Sequence, residues 1–125
     1  MSLKNWEING LSLELDLEDV DTLERYEDAF AEMASEENSI PKVGKKSEQI
    51  RAYCNLFKKL YDKIFGDGTS NKIFKDIPVN AARYDEIYIS FLEFVKSQTT
   101  ESNEKRKSSI QKYITKNRKQ KRSQK

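Results

Sequence analysis

Histidine is absent from all 125 residues. That removes the commonest general base and the commonest zinc ligand at once. A single cysteine, Cys54, rules out an internal disulfide and, without histidine, any Cys/His dyad. One cysteine also fits a reducing, cytosolic compartment. No GxSxG elbow and no glycine loop for a phosphate appears. No run approaches the roughly 18 apolar residues of a membrane helix, and the opening residues lack the charged-then-apolar order of a secretory signal. These gaps point away from catalysis and from the membrane, and no cofactor or metal is expected.

What is present is charge, unevenly placed. Charged residues make up 35% of the chain and apolar ones 36%, too apolar for wholesale disorder. Residues 1–37 hold twelve acids against Lys4 and Arg25, a net of −10. Residues 38–104 hold nine acids and eleven bases, and residues 105–125 hold ten Lys/Arg and no acid. The chain therefore has an acidic head, a balanced middle and a basic tail.

The head opens with apolar/polar alternation on both sides of Asn9-Gly10. Asn-Gly is the strongest two-residue hairpin signal, because both central positions of a type I′ turn take positive φ. Trp6 and Ile8 lie on one face, with Leu11, Leu13 and Leu15 on the return. Asp21-Thr22-Leu23-Glu24 then reads as a capping-box start with Asp21 in the cap. Leu23, Tyr26, Phe30 and Met33 follow at helical spacing, and the helix fades over Ser35 to Asn38. After a loop at 39–44, Ser47 is expected to cap a second helix. Its apolar stripe runs from Ile50 through Tyr53, Cys54, Phe57, Leu60, Tyr61 and Ile64 to Phe65, and Gly66 stops it. Ser70 to Phe74 makes a short helical piece, and Asn80 caps a third long helix bearing Tyr84, Ile87, Tyr88, Phe91, Leu92 and Val95.

The expected fold is thus mainly α: a small three-helix bundle with an N-terminal β-hairpin and a basic, flexible C-terminal tail. The boundary falls in the polar Ser97-Gln98-Thr99-Thr100-Glu101-Ser102-Asn103. Residues 4–98 form the hairpin-plus-helix domain, and residues 99–125 a polar linker and basic tail.

Candidate sites are few. Cys54 lies on an apolar stripe and reads as a buried hydrophobe. The acids from Asp16 to Asp21 fail the EF-hand pattern, because the sixth position is Asp21, where glycine is needed. Tyr61, Tyr84 and Tyr88 are expected as half-wet rim groups for a protein partner. In the tail, Lys112, Tyr113, Lys116, Arg118, Lys119, Lys121 and Arg122 are the expected contacts to an acidic surface, including that of a second copy. Nucleic acid ranks second as a tail partner. Ten cations would release phosphate counterions, but Tyr113 is the sole aromatic among them and stacking platforms are missing.

Several short motifs resemble one known group. Ile8-Asn9-Gly10, the Tyr26-Glu27 pair in an acidic helix, and the stretch from Ile64-Phe65-Gly66-Asp67-Gly68-Thr69-Ser70 to Asn71-Lys72-Ile73-Phe74 are similar to small proteins of phages and prophages of Gram-positive (Firmicutes) bacteria. Asn117-Arg118-Lys119-Gln120-Lys121-Arg122 is similar to the Asn-Arg-x-Gln-Arg-Arg run common there, with Lys121 where the group has arginine. Those proteins resemble the tail assembly chaperones of long-tailed phages. The resemblance implies a non-enzymatic chaperone in the bacterial host's cytoplasm, absent from the mature virion. It further implies binding to the tape measure protein and the tail tube protein; self-association is expected from the apolar stripe and the charge asymmetry of head and tail. A small nucleic-acid-associated regulator of a prophage is the alternative. Such a reader places Lys/Arg on a folded recognition helix, whereas here Arg51, Lys58, Lys59 and Lys63 are mixed with acids.

Overall fold

The structure, a computed structural model, describes residues 4–123, with side chains described for residues 4–112. Two strands, β1 (Asn5–Ile8) and β2 (Leu11–Glu14), pair antiparallel with Trp6 opposite Leu13 and Ile8 opposite Leu11. Asn9 and Gly10 turn between them at φ 48° and 79°, the left-handed pair that the sequence predicts. A two-stranded ribbon cannot stand alone, and side chains tie this one down at two points. Trp6 donates its indole N–H to Ser90 Oγ (3.1 Å), and Asn9 Nδ2 donates to the Ile73 carbonyl (2.8 Å).

Helix α1 spans Val20–Glu37. Its cap is Asp19, two residues ahead of the expected Asp21: the Asp19 carboxylate accepts from the Thr22 amide (3.0 Å) and hydroxyl (2.8 Å). Thr22 makes the difference, since it lies three residues beyond Asp19 and offers two donors at the N3 position. These bonds hold the Asp19 carboxyl below its ordinary value.

Helix α2 (Lys46–Phe65) also starts earlier than expected. Gly44 turns the chain at φ 118°, and the extended Lys45 is the cap without a side-chain bond, so Ser47 lies inside the first turn. At the other end Gly66 takes φ 117° and stops the helix as expected. Asp62 then latches the next element, accepting from Ser70 N (2.8 Å) and Ser70 Oγ (3.1 Å) at the start of the short α3 (Thr69–Ile73).

Helix α4 (Ala81–Ser123) begins where Asn80 Oδ1 caps the Arg83 amide at 3.1 Å. It then runs without a break through 97–103, where a linker is expected. At 43 residues it is about 65 Å long. No glycine or proline occurs from Ala81 onward to interrupt it. The polarity that reads as a linker has another cause. Gln98 is 4% exposed and clamps the exit of the hairpin, its Nε2 donating to the Leu15 carbonyl (2.7 Å) and its Oε1 accepting from the Leu17 amide (2.8 Å). One turn later Glu101 pairs with Lys105 at 3.3 Å, in the favourable i, i+4 order.

The core is aromatic. Trp6 packs on Tyr61, Phe65 and Phe91 with ring centroids 5.1–6.1 Å apart, and Phe74 stacks on Tyr84 at 3.9 Å. Each such pair adds about 0.5–1.5 kcal/mol beyond burial alone. Leu15, Leu60, Ile64 and Ile73 fill the space between rings. The architecture is mainly helical with an N-terminal hairpin, as the apolar spacing predicts.

Candidate protein-binding surface

Helices α1 and α2 pack along their length, and two exposed ion pairs, Glu32 with Lys63 and Glu36 with Lys59, staple them. Lys63 holds the Glu32 carboxyl below its ordinary value by hydrogen bond and by charge. Grooves border α1, and two of them have a mostly apolar lining. The first, about 230 Å³, lies toward its C-terminal half and is lined by Phe30, Met33, Ala34, Tyr53, Leu56, Phe57 and Tyr88, with Glu37 at the edge. Tyr53 donates its hydroxyl to Asp85 Oδ1 across the α2–α4 seam. Burial first, and that carboxylate second, push the Tyr53 phenol upward, so it stays protonated.

The second groove, about 310 Å³, opens between the start of α1 and the middle of α4. Leu17, Leu23, Tyr26 and Val95 supply its apolar lining, and Gln98, Thr99, Ser102 and Asn103 its polar wall. Arg106 reaches across one end to Glu18. Leu23 is 36% exposed, and Val20, three residues before it on α1, is 65% exposed. The flank of α1 is acidic, with Asp21, Glu24, Glu27 and Asp28 all exposed.

The expected site residues separate on this frame. Tyr61 and Tyr84 are core groups at 0% and 1% exposure, a correction to their expected place on the rim. The reason is the hairpin and α3: Trp6 covers Tyr61 and Phe74 covers Tyr84, two elements that a helical stripe alone does not reveal. Tyr88 is half-buried and lines the first groove beside Phe57, at a ring distance of 4.9 Å. Lys112 is exposed on α4. The side chains of Tyr113, Lys116, Arg118, Lys119, Lys121 and Arg122 lie outside the described residues. Cys54 is fully buried, and burial pushes its thiol up, which suits a packing residue.

Leu17 and Arg106 line this groove without any signal in the sequence, and Leu23 and Val95, expected on apolar helix faces, line it too. Glu18 and Arg106 stand 88 positions apart, and no local pattern joins them. Among the described residues, no group of three or more His, Cys, Asp or Glu could hold a metal ion. Among the same residues, no helix is long and apolar enough to cross a membrane.

This arrangement defines a class: a hairpin-capped helical bundle that extends one long helix beyond its core. Residues 9–125 match the family model of DUF6673, a family of unknown function, and the chain belongs to that family. No curated protein and no solved structure gives a significant match.

Proposed function

We propose that this chain is a non-enzymatic phage tail assembly chaperone that binds the tape measure and tail tube proteins in the host cytoplasm. The observation that carries the reading is the groove of Phe30, Met33, Tyr53, Leu56, Phe57 and Tyr88. An apolar trough between helices accepts one face of an amphipathic helix. Methionine and aromatic linings repack around clients of varied sequence. A tape measure protein is largely long amphipathic helix, and the resemblance of short motifs to those of phage proteins supports the same assignment.

The test is co-expression with the tape measure and tail tube proteins, followed by affinity capture at low and high salt. Soluble tape measure protein should be recovered with the chain, and Met33→Glu should reduce that recovery roughly tenfold, equivalent to about 1.4 kcal/mol. If neither tail protein is captured, the chaperone reading fails. The ten Lys/Arg of residues 105–125 favour a second reading, nucleic-acid binding. Retention of nuclease-sensitive material without either tail protein would put that reading first.

A further inference from the structure

The groove between α1 and α4 and the far part of α4 complement each other in shape class and in charge. The groove has an apolar lining that includes the exposed Leu23, and on α1 the exposed Val20 stands one turn before Leu23 and the exposed Glu27 one turn beyond it. The far part of α4 is its converse. Ile110 is 52% exposed, one helical turn past Arg106 and the exposed Lys107. Tyr113 and Ile114 follow it in sequence, and residues 105–125 carry no acid. An exposed apolar residue set among cations is the pattern that an apolar groove beside an acidic helix accepts.

The two surfaces cannot meet within one chain. Helix α4 itself forms one wall of the groove, from Val95 to Arg106, and the same helix carries Ile110 onward. Ile110 lies one turn beyond Arg106, about 6 Å further along the axis, so it lies past the end of its own groove. We propose that the segment of α4 beyond Arg106 of one copy docks into the α1–α4 groove of a second copy, giving head-to-tail self-association. The contact is heterologous, since arm meets groove and never arm meets arm, so it propagates into chains or closes into rings.

A second copy fits better than nucleic acid. The head bears a net charge of −10 over residues 1–37 and repels phosphate. Ile110 also gains nothing from a phosphate backbone. One cation of α4 already sits on the acidic head within the chain, at Arg106 and Glu18.

Sedimentation velocity of the nuclease-treated full chain, with no other protein present, tests this independently of the tape measure reading. At low salt the chain should form oligomers larger than dimers as concentration rises, and high salt should dissolve them. Ile110→Glu in the arm and Leu23→Glu in the groove should each weaken association at least about tenfold. Mixed in equal amounts, the two variants should form a one-to-one pair and nothing larger, because only one intact arm and one intact groove remain. If Leu23→Glu loses its helical circular dichroism, Glu27→Lys at an exposed position replaces it in the mixture. A monomer at every salt and concentration overturns the proposal. So do variants that associate as the parent does, a mixture that fails to pair, or oligomers that vanish on nuclease treatment.

Discussion

The first half of α4 and its second half are one helix held by two different kinds of force. From Ala81 to Ser102 the helix lies against the body, and Tyr84, Ile87, Phe91 and Gln98 are all buried. From Asn103 to Lys112 every residue is exposed, and the bond from Arg106 to Glu18 leads back to the body. The first half is helical because its stripe has a core to enter. The second is helical because nothing in its sequence breaks a helix, with pairs such as Glu101–Lys105 adding a few tenths of a kcal/mol. Local propensity continues what tertiary packing begins.

Removing the packing from the first half gives the largest expected effect. Phe91 is fully buried and its ring meets those of Trp6, Tyr26, Tyr61, Phe65 and Phe94, so it joins the hairpin, α1, α2 and α4. Phe91→Ala should cost about 3–5 kcal/mol in urea unfolding. A loss below about 1 kcal/mol would mean that the aromatic cluster is not where the body's stability resides. Gln98 stands at the boundary and should have the next largest effect. Gln98→Ala leaves the Leu17 amide and the Leu15 carbonyl without their partner, at a cost of about 1–3 kcal/mol. Amide exchange at Leu17 should quicken in the same variant, since that N–H loses its acceptor.

How legible each region is in the sequence follows from the same division. The Asn9-Gly10 turn, the Gly66 stop and the Asn80 cap are set by the backbone needs of one or two residues, and each stands where local chemistry predicts it. The long stripe of α2 is equally plain, because five of its residues, Cys54, Phe57, Leu60, Tyr61 and Ile64, are buried. Caps are less legible where two candidates stand two residues apart, as Asp19 and Asp21 do; the downstream Thr22 decides between them. Gln98 misleads most. A polar residue in a polar stretch reads as linker, and only the folded hairpin supplies the carbonyl and amide that make it a clamp. Tyr61 and Tyr84 mislead in the opposite sense, since tyrosine suits a wet rim until another element covers it. The α1–α4 groove is made by residues from two distant segments, and no spacing rule brings those together.

Tyr61 sharpens the description of the body. Its ring is central to the core, yet among the described residues its hydroxyl is buried without a hydrogen-bond partner. Burial also pushes its phenol far up, so the group stays neutral at any ordinary pH. An orphaned buried hydroxyl carries a desolvation cost that the phenyl ring does not. Tyr61→Phe should therefore stabilise the protein by about 1 kcal/mol, opposite in sign to the other core change. Destabilisation by the same amount would show that the hydroxyl is satisfied in solution.

The smallest stability effect is expected where the change in sequence is largest. Ending the chain after Asn103 removes residues 104–125, with them ten Lys/Arg, and among the described residues breaks two surface ion pairs, Arg106 with Glu18 and Lys105 with Glu101, whose side chains are all at least 44% exposed. Exposed pairs of this kind contribute about 0–1 kcal/mol. The urea midpoint of the body should hence move by less than that, while helical circular dichroism falls with the lost turns. Such a result would separate the two halves of α4 into one that stabilises the fold and one that leaves it unaffected. A large drop in stability would erase the distinction, because the arm would then be holding the head in place through Glu18 and the acidic start of α1. Loss of self-association without loss of stability would assign the arm to binding alone.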